Sequence, residues 1–239
     1  MKKPIVFLLL ALLPIGMMGQ PKMLTSRLKV WNRQPFIKEG IDYNDKLIST
    51  FRNEMKHEDD VARPNALFID SPSWDGPMAL TCDAKKMMYK REDGKTDMKV
   101  VEGELVAMRC KDNIWFNIKK KPGVQTYRMK VDDAYADSLL RLMAYACYTS
   151  VIQDPWSFVI DGTSYYLFWE EMESSFSNDA DEMQQLLQKT LSDIMMAVVA
   201  QDEQKVKSFA PTINRLLTHY RSLQLPDQYI RPILYGTPN

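Results

Sequence analysis

The chain has 239 residues, of which 45% are hydrophobic and 26% are charged. These fractions are typical of a globular protein and exclude an intrinsically disordered chain. The 31 basic and 31 acidic residues balance, which excludes a strongly basic nucleic-acid-binding protein.

The first 19 residues have the organisation of a secretory signal peptide. Lys2 and Lys3 form a positive end, and an apolar run follows that extends to Met18. This run is shorter than the roughly 20 residues that a membrane-spanning helix needs. We therefore expect cleavage after Gly19 and export to the periplasm or the extracellular space, with a retained membrane anchor as the alternative. No later apolar run is long enough to span a membrane, so we expect no transmembrane segment in the mature chain.

The next segments are predicted to be an extended N-terminal arm (20–43) and an α+β domain (44–175). The arm shows no clean periodicity. Asn44 suits the N-cap of a helix, because its side-chain oxygen can accept a free backbone N–H of the first turn. The apolar residues that follow share one narrow helical face: Leu47, Ile48, Phe51 and Met55. Ala66–Ile69 is predicted to be a short strand.

Short alternating segments joined by turn residues predict an antiparallel meander over residues 79–131. Its first turn is placed at Asp93-Gly94. A long helix is expected from residue 134 to about residue 152, capped by Asp132 or Asp133. Its wide apolar stripe predicts that the helix packs across the sheet.

The segment 156–169 is predicted to be a β-hairpin with a two-residue turn at Asp161-Gly162. This arrangement places Tyr165 opposite Phe158 and Leu167 opposite Trp156. One face of the hairpin is predicted to be core, because each large apolar side chain contributes about 1.5–3 kcal/mol when buried. That face carries Trp156, Phe158, Ile160, Tyr165, Leu167 and Trp169.

Residues 176–239 are predicted to form a C-terminal helical hairpin and an irregular tail. The break between the two helices falls near Gln201–Asp202, and Pro211 begins or kinks the second helix. The predicted fold class is therefore α+β: an antiparallel meander sheet with a long helix packed across it, a β-hairpin and a C-terminal helical hairpin.

The three cysteines all lie in the expected mature chain. Cys147 falls on the apolar arc of the long helix and is interpreted as a buried thiol. Cys82 and Cys110 lie in or beside predicted strands. Because an exported protein can keep disulfides, a bridge between these two is one alternative. The chain has no C-x-x-C motif, so neither a redox site nor a zinc site is indicated.

Signatures of serine hydrolases, zinc proteases and nucleotide-binding proteins are missing from the sequence. The run His57-Glu58-Asp59-Asp60 holds metal-capable groups, but adjacent residues at a helix end point in different directions. We interpret it as a solvated helix end, and His219 as a packing residue beside the apolar stripe of the last helix. We predict no catalytic residue, no metal and no cofactor.

Four aromatic residues on predicted non-core faces are the candidate binding residues, because exposed aromatics are enriched at interfaces: Tyr145, Tyr148, Tyr166 and Phe168. Alternatively, the C-terminal helical hairpin covers them. We expect a non-catalytic exported protein that binds another protein or a surface component of the cell envelope, and no nucleic acid. The alternatives are an envelope hydrolase based on Asp70, Asp75 and Glu58, and a carrier of a small ligand between sheet and helices.

Overall fold

One antiparallel sheet of six strands organises the part of the chain that the computed structural model describes. The described residues are 38–55, 66–72, 75–90, 92–94, 96–114, 121–149, 163–169, 172–176 and 181–223. The predicted signal peptide (1–19), most of the predicted arm, the Asp161-Gly162 turn and the C-terminal tail lie outside these ranges. Within them, none of the helices combines the length and the apolar character that a membrane crossing requires.

The strands are β1 (Ala66–Pro72), β2 (Met78–Lys90), β3 (Thr96–Cys110), β4 (Val124–Lys130), β5 (Thr163–Trp169) and β6 (Met172–Phe176). The helices are α1 (Lys38–Glu54), α2 (Asp133–Thr149), α3 (Glu182–Val199), α4 (Glu203–Ser208) and α5 (Ala210–Ser222). The strands follow the order β4-β3-β2-β1-β5-β6, and every neighbouring pair is antiparallel. The predicted α+β fold class is confirmed.

The long helix α2 lies across one face of the sheet, as its apolar stripe predicts. The Asp132 carboxylate caps the helix by accepting a hydrogen bond from the Tyr135 N–H at 2.8 Å. Gly103 of β3 allows a close approach of α2, since a Cβ at this position would stand 2.5 Å from the Cβ of Ala136. Helix α5 packs against α2, and α3 packs on β2, β3 and β4 and contacts α5, which completes this layer.

The sheet separates two hydrophobic cores, which we call the large core and the small core. In the large core, the strands meet α2, α3, α4 and α5. Its largest fully buried strand residues are Phe68, Leu80, Leu105, Leu167 and Trp169. In the small core, α1 covers the opposite face of the sheet. The small core consists of Leu47, Phe51, Leu67, Ile69, Ala79, Val106, Met108, Cys110, Ile114 and Phe168.

Helix α1 begins at Lys38, six residues before the Asn44 cap that the sequence predicts. The predicted arm therefore ends in a helix, and its assignment as extended is wrong for residues 38–43. Gly40 lowers the local helix propensity by about 1 kcal/mol relative to alanine, which hides the first turn from a propensity argument. The narrow apolar face is confirmed, because Leu47 and Phe51 are buried in the small core.

The hairpin that the structure contains around Trp169 joins β5 to β6. Tyr165 pairs with Asp70 of β1 on one side and with Phe176 of β6 on the other. Because both edges of β5 are occupied there, the partners that the sequence predicts for Tyr165 and Leu167 are wrong. The preceding half of the predicted hairpin lies outside the described residues. The predicted core face is confirmed for Leu167 and Trp169, which are buried in the large core.

The C-terminal helices form the predicted hairpin, with the short helix α4 in the connection. The chain breaks at Gln201, whose φ of +56° no helix residue adopts. Asp181 caps α3 and Asp202 caps α4, each through a carboxylate that accepts a backbone N–H. Pro211 lies in the first turn of α5. Backbone N–H groups in the first turn have no acceptor within the helix, so the lack of an N–H in proline costs no hydrogen bond there.

Candidate functional site

Two of the four aromatic residues predicted to bind a partner belong to the interior. Phe168 is fully buried in the small core, where α1 covers it and the Arg52 guanidinium lies 5.5 Å from its ring centre. Tyr145 is buried in the large core, and the Arg221 guanidinium of α5 lies 5.9 Å from its ring centre. The prediction that these two residues lie on non-core faces is wrong, because α1 covers Phe168 and α5 covers Tyr145.

Tyr166, the third aromatic candidate, does not extend an exposed patch. Tyr166 is half-buried and packs against the small core, with its ring centre 6.5 Å from that of Phe168. The side chain of Tyr148 lies outside the described part of the structure. The C-terminal hairpin, which the sequence offers as the alternative cover, does reach Tyr145 through α5, whereas the N-terminal helix covers Phe168.

All three cysteines are buried free thiols. Cys82 lies in the large core and Cys110 in the small core, on opposite faces of the sheet. A disulfide between them is therefore a wrong alternative for this fold. Burial raises the pKa of the Cys82 thiol and raises that of Cys110 to about 12, so both stay protonated at neutral pH. Cys147 is buried as predicted, and its thiol donates to the Leu167 carbonyl at 3.5 Å.

The three carboxylates of the alternative hydrolase hypothesis have different surroundings. Asp70 is half-buried on β1, and its Oδ2 accepts a hydrogen bond from the Ser192 hydroxyl of α3 at 2.8 Å. Burial raises the pKa of Asp70, and the Ser192 hydrogen bond opposes part of that shift. Asp75 is exposed, and Glu58 lies outside the described residues. Among the residues that are described, no three His, Cys, Asp or Glu side chains come together as a metal site.

A two-stranded ribbon projects from the sheet and carries three of the five exposed large apolar side chains of the described residues. The ribbon consists of Lys85–Lys90 of β2 and Thr96–Val101 of β3, joined by a turn that includes Gly94. β1 pairs with β2 only at Met78–Leu80, and β4 pairs with β3 only from Glu104 onward. Within the described ranges, no third strand accompanies the ribbon.

A β-bulge marks the point where the ribbon leaves the body of the sheet. Asp83 pairs with Glu104 but Lys85 pairs with Val101, so two residues of β3 face Ala84 alone. One of them, Glu102, has a φ of +54° and forms an ion pair with Lys85 at 2.6 Å. Because a bulge bends a strand and increases its twist, this one sets the direction in which the ribbon leaves the sheet.

Three consecutive large apolar residues of the ribbon are exposed. The exposed fraction is 45% for Met87, 70% for Met88 and 40% for Tyr89. Since successive strand residues point to opposite faces, Met87 and Tyr89 lie on one face and Met88 lies on the other. Elsewhere in the described residues, the exposed large apolar side chains are Met196 and Leu223, which lie singly on α3 and at the end of α5.

Lysines border the apolar group of the ribbon. The six residues 85–90 contain three lysines and no acidic residue. On the neighbouring strand, the Lys99 ammonium lies 6.0 Å from the centre of the Tyr89 ring. The exposed acidic residues Glu92 and Asp93 stand at the turn, beyond the apolar group. The connection 91–95 contains two basic and two acidic residues, so the ribbon presents an apolar centre on a basic strand.

The sequence contains a signal for this surface that strand prediction alone does not use. A half-buried strand alternates apolar and polar residues, whereas Met87, Met88 and Tyr89 occupy both faces between flanking lysines. Met87 and Met88 are exposed, although methionine side chains usually lie in the core. The exposure of Met87, Met88 and Tyr89 depends on where β1 and β4 end. The residues around Met88 do not predict where those two strands end.

Comparisons of the chain with protein-family models, with curated proteins and with solved structures found no match.

Proposed function

We propose that the chain is an exported, non-catalytic protein that binds another protein of the cell envelope or the extracellular space through the ribbon. The observation that carries this proposal is the exposure of Met87, Met88 and Tyr89 on a strand pair outside both cores. The signal-peptide pattern of residues 1–19 supports export. The lack of catalytic signatures in the sequence supports binding rather than catalysis.

The physical argument rests on what these side chains gain when a partner covers them. Methionine and aromatic residues are enriched at protein interfaces. Each square ångström of apolar surface removed from water contributes about 25 cal/mol, so three adjacent apolar side chains can anchor an interface. A two-stranded ribbon without a third strand is only marginally stable in water, and a bound partner would stabilise it.

The proposal is tested by comparing the partners that two variants retain. The tagged mature chain is used to capture proteins from extracts of the cells that produce it. One variant combines Met87→Ser, Met88→Ser and Tyr89→Ser. The control variant is Met196→Ser, which removes an exposed methionine of α3 that is 51% exposed. Captured proteins are quantified by mass spectrometry, and thermal unfolding is measured for each variant.

We expect the ribbon variant to lose about tenfold or more of its captured partner, because one interface anchor costs about 2 kcal/mol when truncated and about 1.4 kcal/mol is already tenfold in affinity. The thermal midpoint should stay close to that of the wild type, since none of the three side chains is buried in a core. The Met196→Ser control should retain the partner. Equal capture by the wild type and the ribbon variant would contradict the proposal.

A further inference from the structure

We propose that the outer edge of β2 in the ribbon binds an extended partner segment with an apolar centre and acidic ends. This inference rests on the proposed function and specifies the chemistry of the partner. The outer edge is the side of Lys85–Lys90 that faces away from β3. No strand in the described ranges pairs with it. Edge strands are templates for the addition of a further strand, which is a common mode of peptide recognition.

The charge of β2 favours an acidic partner segment. Lys86 and Lys90 lie on the same face as Met88, and no acidic residue lies within 85–90. Lys85 already pairs with Glu102 of β3. The other edge of the ribbon, along Thr96–Val101, contains one lysine and one aspartate and offers no comparable charge. Cross-strand pairs of opposite charge stabilise a sheet by about 0.2–1 kcal/mol each, so acidic residues opposite the lysines would select the β2 edge.

A second copy of this chain is a poor occupant of the same edge. Antiparallel pairing of residues 85–90 with themselves places Lys85 opposite Lys90 twice. Parallel pairing in register places each lysine beside its own copy. Like charges directly opposite one another destabilise a sheet, so both arrangements work against a homodimer through this edge.

An anionic membrane is also a poorer occupant than an extended segment. A bilayer cannot satisfy the backbone N–H and C=O groups along the edge of a strand, whereas an added strand forms hydrogen bonds with them. An added strand instead runs alongside Met87–Tyr89. There its apolar residues can contact the ribbon from the side while the turn remains in water.

The test selects peptides from a random display library of extended dodecapeptides on the folded mature chain. The selected peptides are then measured against two charge variants. Lys86→Glu with Lys90→Glu reverses the charge of the β2 edge. Lys111→Glu with Lys121→Glu reverses two exposed lysines near the opposite end of β3 and serves as the matched control. Circular dichroism verifies that each variant is folded.

We expect peptides in which Asp or Glu flank three or four apolar residues. Their affinity should fall about tenfold or more for the Lys86→Glu, Lys90→Glu variant and stay unchanged for the control, since two opposite-charge pairs become like-charge pairs. In an added strand, only every second backbone N–H points toward β2. Methylation of the nitrogens that point toward β2 should therefore abolish binding of the best peptide, and methylation of the other nitrogens should leave binding intact.

Three outcomes would overturn the inference: peptides without acidic enrichment, equal binding to both charge variants, or no selected peptide together with binding to phosphatidylglycerol vesicles. Acid-free peptides that still require Met87, Met88 and Tyr89 would remove this inference and leave the proposed function standing. If peptides bind equally well to the wild type and to all variants of the ribbon, both the inference and the proposed function are contradicted.

Discussion

Cys82, Cys110 and Cys147 are each enclosed by apolar side chains, on one or the other face of the sheet. A thiol reacts through its thiolate, and burial raises the pKa of Cys82 and Cys110. Local sequence could place both residues in strands, but only the pairing of the strands decides which face each one occupies. The spacing of the cysteines in the sequence does not show that Cys82 and Cys110 lie on opposite faces, and for that reason it does not exclude the disulfide.

The thiol chemistry gives the first prediction. The folded mature chain should react slowly or not at all with Ellman's reagent, because all three thiols are buried. In denaturant without reductant, three thiols per chain should react. A single reactive thiol under those conditions would show that Cys82 and Cys110 are bridged and would contradict the burial of these residues on opposite faces.

Asp70 provides a pH-dependent prediction. Burial raises the pKa of its carboxyl above the ordinary value of 3.8, so the folded state holds the proton more tightly than the unfolded state. The associated stability is present below that ordinary value and is lost as pH rises through the folded pKa. Asp70→Asn removes this loss and keeps an oxygen that can accept the Ser192 hydrogen bond.

We therefore expect the thermal midpoint of Asp70→Asn to rise relative to wild type as the pH increases from about 4 to about 7. Differential scanning calorimetry across this range measures the difference. Asp75→Asn, at an exposed position, is the control variant. A midpoint difference for Asp70→Asn that does not change with pH would contradict the burial argument.

At the scale of the elements, local patterns predict α2, the C-terminal helices and the strands of the meander, and they fail where distant residues decide. β3 continues through the bulge beside Gly103 because β2 pairs with it on both sides of the bulge. β5 pairs with β1, about a hundred residues earlier in the chain, and no local turn signal indicates such a partner.

The close approach of α2 to the bulge yields a prediction at this scale. In Gly103→Ala, the new Cβ would stand 2.5 Å from the Ala136 Cβ, so α2 must move or the strand must shift. We expect the free energy of unfolding to fall by about 1–3 kcal/mol, the usual cost of overpacking.

Chemical denaturation measures this change in unfolding free energy. Gly123→Ala is the control, because its nearest neighbour, a Lys111 side-chain carbon at 3.6 Å, is at an ordinary contact distance. If Gly103→Ala is as stable as the wild type, the described contact between α2 and the bulge is wrong.

For the whole molecule, the sheet has helices on both faces, and the ribbon extends beyond the body. The sequence predicts the strand pair and the turn at Asp93-Gly94. Whether an apolar strand residue is buried depends on how far the neighbouring strands extend. β1 and β4 pair with β2 and β3 only on the body side of the bulge, so Met87 and Met88 remain exposed.

The central claim is that the ribbon contacts the partner, and a residue-specific photo-crosslink tests it most directly. Benzoylphenylalanine is placed at Met88 in one mature chain and at Met196 in another, and both are irradiated in extracts of the producing cells. Both positions are exposed, so the label itself should not disturb either core. We predict a discrete crosslinked product from position 88 and none from position 196. Products of equal yield from both positions, or a product from position 196 alone, would contradict the account.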